Sequence, residues 1–114
     1  MKERKIYDCR DGCPVESTIQ FISGKWKSVI LYHLIKNPTQ RFGELNEKIP
    51  GCAPRMLARQ LVELEQDRLI QKRVYSIAPS VTDYSLTDFG QTLEPVILAM
   101  ATWGSEYNKS VDKS

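Results

Sequence analysis

The sequence predicts an α+β domain, mainly α, and three observations predict it. Apolar residues recur at spacings of three and four through most of the chain, the period of amphipathic helices. Between Arg41 and Arg73 that period is interrupted once, at Pro50-Gly51, and then resumes: Phe42, Leu45 and Ile49 before the break, Leu57, Leu61 and Leu64 after it. This reads as helix, tight turn, helix. From residue 69 to 86 the period shortens to two, around a Pro-Ser centre, which reads as a β-hairpin.

Taken in order, residues 1–12 form a charged, turn-prone arm ending in Cys9-Arg10-Asp11-Gly12, so that Cys9 and Cys13 are spaced C-x3-C. Pro14 opens the first helix, since its missing N–H is an orphan there anyway. Val15, Ile19 and Ile22 give that helix one apolar stripe with Phe21 beside it, and Ser23-Gly24 supplies a stop. Lys25 to Lys36 reads as the second helix, with Trp26, Val29, Ile30, Leu31 and Leu34 forming a face wide enough for a central core element. Asn37-Pro38 ends it, and Thr39 to Phe42 has room for a very short strand. His33 is the sole histidine, and beside such an apolar face it reads as a boundary residue rather than a ligand.

In the second helix of the motif, Leu57, Leu61 and Leu64 point inward, while Arg55, Arg59, Val62 and Gln66 face outward. Pro54 suits its first position, which makes Ala53 the N-cap. Alanine offers no side-chain acceptor, at a cost of about 1 kcal/mol against Ser or Thr. Ile70, Lys72 and Val74 alternate with Gln71, Arg73 and Tyr75 in the first hairpin strand, and Val81, Thr82, Tyr84 and Leu86 favour the second. Thr87 is a good N-cap for a long last helix carrying Leu93, Val96, Ile97, Met100, Trp103 and Tyr107, in which Pro95 predicts a bend. Residues 13–107 thus make a winged helix-turn-helix with extra helices at both ends, and residues 108–114 form a polar tail.

The composition narrows the function. A chain of 114 residues fits one domain, and 16 Lys and Arg against 14 Asp and Glu, a net charge of +2, permit nucleic-acid binding without advertising it. No apolar run approaches the roughly 20 residues of a membrane helix, and the opening lacks the apolar core of a signal peptide. The expected location is cytoplasmic. Three cysteines with no export signal imply reduced thiols rather than a disulfide framework. No Gly-rich phosphate loop, nucleophile elbow or Cys/His pair in a known motif indicates an enzyme, and no cofactor is implied.

Several stretches in order resemble the HxlR-type bacterial transcription regulators, relatives of the MarR group, from about Cys13 to Gly104. They are Cys13-Pro14-Val15-Glu16, Gly24-Lys25-Trp26-Lys27 with Ile30-Leu31, Arg41-Phe42 with Glu44-Leu45, Arg55-Met56-Leu57, and Gln60-Leu61 with Glu63-Leu64-Glu65. Tyr84-Ser85-Leu86-Thr87, Gly90, Leu93, Pro95 and Trp103-Gly104 complete the likeness. The resemblance implies a homodimer on an inverted-repeat operator in double-stranded DNA, usually as a repressor and sometimes as an activator. Base contacts would come from Arg55, Arg59 and Gln60, with Ala53 and Ala58 allowing close approach, and phosphate contacts from Lys25, Lys27, Arg41, Lys72 or Arg73. Val15, Ile19, Ile97, Met100, Trp103 and Tyr107 either form the dimer interface or close the monomer's own core. Two departures stand out: Pro79-Ser80-Val81 at the wing tip lacks the usual basic residue, and Cys52-Ala53 replaces the Ser or Thr common near the start of the reading helix.

Cys13 also matches the cysteine that some members use to sense electrophiles or oxidants. The positive end of a helix favours the thiolate such chemistry needs. Cys9 or a second Cys13 across the dimer are the resolving candidates, and Cys52 is a second sensor candidate. Two rival readings remain. One is a winged-helix module that docks another protein; the other is a small thiol or metal-binding sensor using Cys9 and Cys13 with Asp8, Asp11 or a second subunit.

Overall fold

Leu57, Leu61 and Leu64, the inward face of the helix-turn-helix, lie at the centre of the core, each no more than 1% exposed. The computed structural model describes residues 4–8, 13–77 and 80–112. Its order is α1 (Pro14–Ile22), α2 (Lys27–Lys36), β1 (Thr39–Arg41), α3 (Phe42–Lys48), α4 (Pro54–Gln66), β2 (Ile70–Ile77), β3 (Ser80–Leu86), α5 (Asp88–Gln91) and α6 (Glu94–Asp112). Ile30, Leu31 and Leu34 of α2, Leu45 of α3, Ile49 and Cys52 of the turn, Leu69 and Ile70 at the start of the wing, and Ile97 of α6 close around α4. Burying each such aliphatic side chain stabilises the fold by about 1.5 to 3 kcal/mol.

The sheet has the order β1-β3-β2, all antiparallel, with Gln40 opposite Tyr84 and Lys72 opposite Tyr84 on the other side. A register shift between Val74 and Ser76 bulges β2, and every residue from Gln71 to Tyr75 is exposed. The alternation that marked this strand does not separate a buried face from a wet one, because the hairpin projects beyond the core. Gln40 of β1 is buried, and its amide donates to the carbonyls of His33 (2.6 Å) and Asn37 (2.9 Å) while its oxygen accepts from Lys48 Nζ (2.5 Å). The short strand thereby braces the end of α2, adding a second bond to the His33 carbonyl, which already takes the Asn37 N–H (2.9 Å), and answering that of Asn37.

α4 ends in a Schellman motif: Leu69 N–H donates to the Leu64 carbonyl and Arg68 N–H to that of Glu65, both at 3.0 Å. Arg68 takes the left-handed conformation, with φ of 63°, where glycine is the usual occupant. Thr87 caps α5 by accepting from Gly90 N–H (2.9 Å), and its own N–H donates to the Leu69 carbonyl (3.1 Å). A Cβ on Gly90 would lie 2.0 Å from that same carbonyl oxygen, so only glycine lets α5 pack here.

Three helix boundaries differ from expectation, one being that α6 runs on to Asp112 through most of the expected polar tail. The second helix begins at Lys27, with Trp26 as its N-cap, instead of at Lys25. The long last helix is broken rather than bent: Thr92 and Leu93 N–H groups close tight turns onto Phe89 and Gly90, and α6 starts afresh at Glu94. Pro95 then occupies the first turn, where its lack of an N–H costs nothing.

Candidate nucleic-acid interface

The reading helix presents what its sequence pattern required. Arg55 and Arg59 lie one turn apart and exposed, with Ala53 and Ala58 exposed beside them. No salt bridge ties either arginine to a described acid. Ala53 is the N-cap in extended conformation, with no side-chain cap bond and Pro54 following. Gln60 is only half-exposed, its amide 3.7 Å from the Met56 sulfur, and Val62 remains exposed further along the helix.

Of the cations expected to touch phosphate, Lys25, Arg41, Lys72 and Arg73 are exposed. Lys25 Nζ lies 5.1 Å from the centre of the Trp26 ring, and Arg73 stacks 4.9 Å over Tyr75 on the wing. The Arg41 backbone N–H donates to Glu44 Oε1 (2.8 Å), which fixes the entry to α3 and leaves the guanidinium outside. Lys27 corrects the expectation. It is 7% exposed and its ammonium pairs with Glu63 of α4 at 2.7 Å, so it joins α2 to the reading helix and has no reach to a phosphate.

The apolar faces of α1 and α6 divide in two. Ile97 is 2% exposed within the core, which removes it from the expected interface. Val15, Ile19, Met100, Trp103 and Tyr107 are all 45% or more exposed, and the Trp103 and Tyr107 rings stack in parallel, 5.8 Å apart. They stand as two exposed apolar sets, one on α1 and one on α6.

The thiols divide as well. Cys13 is the N-cap of α1, partly exposed, directly before Pro14. Cys52, the second candidate, is a core residue at 3% exposure, and burial pushes its thiol above the ordinary range against a smaller opposing effect of Lys25. That is the wrong direction for a reactive thiolate. Cys9 and Asp11 lie outside the described residues, and with them the C-x3-C pair and the metal-binding alternative.

One residue of this region was not singled out beforehand. Arg4 forms a double hydrogen bond to Asp67 at the end of α4, Nε to Oδ1 at 2.8 Å and Nη2 to Oδ2 at 2.6 Å. An acid at the negative end of a helix is disfavoured unless a cation answers it, and that was the available clue.

These features define a winged helix-turn-helix transcriptional regulator. The chain belongs to the HxlR-like helix-turn-helix family, whose model matches residues 21–112. It is 48% identical to the HTH-type transcriptional regulator YdeP of Bacillus subtilis (strain 168), over 99% of this chain and 91% of that one. Among solved structures it is similar to the redox regulator HypR in its reduced form, with a TM-score of 0.80 and 42% identity over 89% of this chain and 99% of that one. It is also similar to the quinone-bound YodB of B. subtilis, with a TM-score of 0.66 and 32% identity over 82% and 99% of the two chains. These relatives are regulators, not enzymes. No helix among the described residues is long and apolar enough to cross a membrane.

Proposed function

We propose that the protein is a homodimeric, sequence-specific DNA-binding regulator, acting as a repressor on an inverted-repeat operator, and that thiol-reactive electrophiles or oxidants alter its binding through Cys13. The observation that carries the DNA-reading part is the exposed Arg55–Arg59 pair in the first turns of α4. Arginine there can take guanine O6 and N7 bidentately in the major groove. Ala53, Ala58 and the half-exposed Gln60 complete the base-facing set, and Lys25, Arg41, Lys72 and Arg73 supply phosphate contacts. Dimerisation is supported by the exposed apolar residues of α1 and α6, since symmetric pairing would cover them and double the site. The thiol response is supported by the position of Cys13, partly exposed at the start of α1, and by likeness to proteins described as a redox regulator and as quinone-bound.

The test is binding of the reduced protein to its own promoter region against random duplex at fixed salt, repeated after diamide or aldehyde treatment. Preference for the promoter that changes on treatment in the wild type, but not in Cys13→Ser, supports the DNA-reading and thiol-response parts of the reading. Preference indifferent to treatment retains the regulator and removes the thiol response. Absence of preference points instead to a protein-docking winged helix.

A further inference from the structure

α1 is weakly anchored by packing alone: none of its own residues is buried, and Phe21 and Ile22 only lean on the core. The arm supplies the missing attachment. Lys5 N–H donates to Gln20 Oε1 (3.0 Å), and Gln20 Nε2 donates back to the Lys5 carbonyl (2.6 Å). One step further, Tyr7 N–H donates to Ser17 Oγ (2.9 Å), whose hydroxyl lies 3.3 Å from the Tyr7 carbonyl. The arm is thus laced along α1.

At its near end, Arg4 carries the lacing across to α4. The Asp67 carboxylate is fully buried, and the guanidinium fork satisfies both of its oxygens. A buried carboxylate without a cation is strongly disfavoured, so this contact is firmly held. The same guanidinium lies 5.6 Å from the centre of the Phe21 ring, which meets Phe89 of α5 edge-on at 5.8 Å. One side chain therefore joins the helix bearing exposed Val15 and Ile19 to the exit of the reading helix.

We propose that Arg4 is a positioning residue for DNA recognition: through Asp67 it straps arm and α1 to α4 and fixes how far apart, and at what angle, a dimer presents its two reading helices. This rests on the dimeric DNA-binding reading above. In such a dimer α1 belongs to the pairing surface and α4 to the reading surface, so the strap converts one into the geometry of the other. Half-sites lie about one helical turn or a multiple apart, and adding one base pair displaces the second by about 3.4 Å. A rigid strap makes binding selective for spacing; a loose one does not.

The experiment uses a duplex selected by the wild-type protein from a random pool, together with versions lengthened or shortened between half-sites by one or two base pairs. Two variants are compared: Arg4→Ala with Asp67→Asn, which removes both charges together, and Ser17→Ala with Gln20→Ala, which unlaces the arm at exposed or half-exposed positions without touching the buried carboxylate. Circular dichroism and sedimentation verify folding and dimerisation of each. The wild type is expected to lose about tenfold in affinity when the spacing changes, within the range usual for coupling between sites. Each folded, dimeric variant should bind all spacings within about threefold of one another while keeping its preference for the half-site sequence. A folded, dimeric variant of either kind that retains the wild-type spacing profile overturns the proposal. If the wild type selects no duplex over random DNA, the DNA-binding reading beneath it falls instead.

Discussion

Lys27 Nζ lies 2.7 Å from Glu63 Oε1, a nearly buried ammonium joining α2 to the reading helix. This pair separates two kinds of lysine that the sequence alone makes look alike. Lys27→Met should lower unfolding free energy by about 1 kcal/mol or more, through the half-buried carboxylate it leaves behind, and leave the salt dependence of DNA binding unchanged. Lys72→Ala should hardly affect stability but reduce the log-log salt slope by about 0.9 for each protomer's lost phosphate contact, or about 1.8 for the dimer. Urea unfolding and salt titration of binding check the two halves. An altered slope for Lys27→Met would return it to the interface.

Removing Arg59 should act on sequence preference. Arg59→Ala is expected to cost about 1 to 3 kcal/mol per half-site on the operator and much less on random DNA, because a bidentate base contact is lost from each protomer. Equal losses on both, by fluorescence anisotropy, would reassign Arg59 to the phosphates.

Gly90→Ala should be among the most damaging small substitutions in the chain. Its new methyl would lie 2.0 Å from the Leu69 carbonyl oxygen, which is backbone and already holds the Thr87 N–H. Overpacking of this sort typically costs about 1 to 3 kcal/mol, and sometimes more. Thermal unfolding against the wild type measures it, with Gly43→Ala, where nothing crowds the added methyl, as the control.

His33 gives stability a dependence on pH. Burial first, and Lys48 second, hold its imidazole below the ordinary value of 6.5. The folded state therefore binds fewer protons than the unfolded state once pH falls below that value. Stability from this group is fully present above pH 6.5 and is lost as pH drops through 6.5 toward the lower folded value. His33→Gln should flatten that step in a series of urea titrations, and an unchanged profile would assign the step to another group.

Trp103 tests the pairing surface. At 72% exposed it contributes little to the monomer's interior, so Trp103→Glu should leave the thermal midpoint of the isolated chain nearly unchanged. Burying a charge at an apolar interface is costly, and sedimentation should show the variant dissociating at concentrations where the wild type stays paired. A variant that sediments as the wild type does would move the interface off α6.

The parts of this fold that were legible in the sequence are those governed by local chemistry. Pro54 after Ala53 and the leucines at 57, 61 and 64 define the reading helix and its inward face, and Thr87 marks a helix start, because capping and periodicity need only neighbours. Lys27, Ile97 and Cys52 were misplaced for one reason: their burial is decided by Glu63, by α2 and by the turn after α3, which are distant in sequence or invisible to a helical projection. Pro95 was placed correctly as an interruption, yet whether a proline bends a helix or starts a new one depends on how Phe89 and Gly90 pack behind it. Arg4 was hidden in a charged arm, where one arginine looks like another until a buried carboxylate selects it.

The position of β2 at the edge of the sheet carries a cost that is independent of DNA. Among the described residues its outer backbone groups have no neighbouring strand, and Val74 and Tyr75 stand 54% exposed on it, an arrangement that invites strand-to-strand pairing between molecules. Lys72 and Arg73 sit on that same strand, and edge cations are a common means of keeping such pairing from occurring. Neutralising both at once should therefore shorten the lifetime of concentrated solutions, and a wing stripped of charge would foul its own binding assay by clumping before it ever met a duplex.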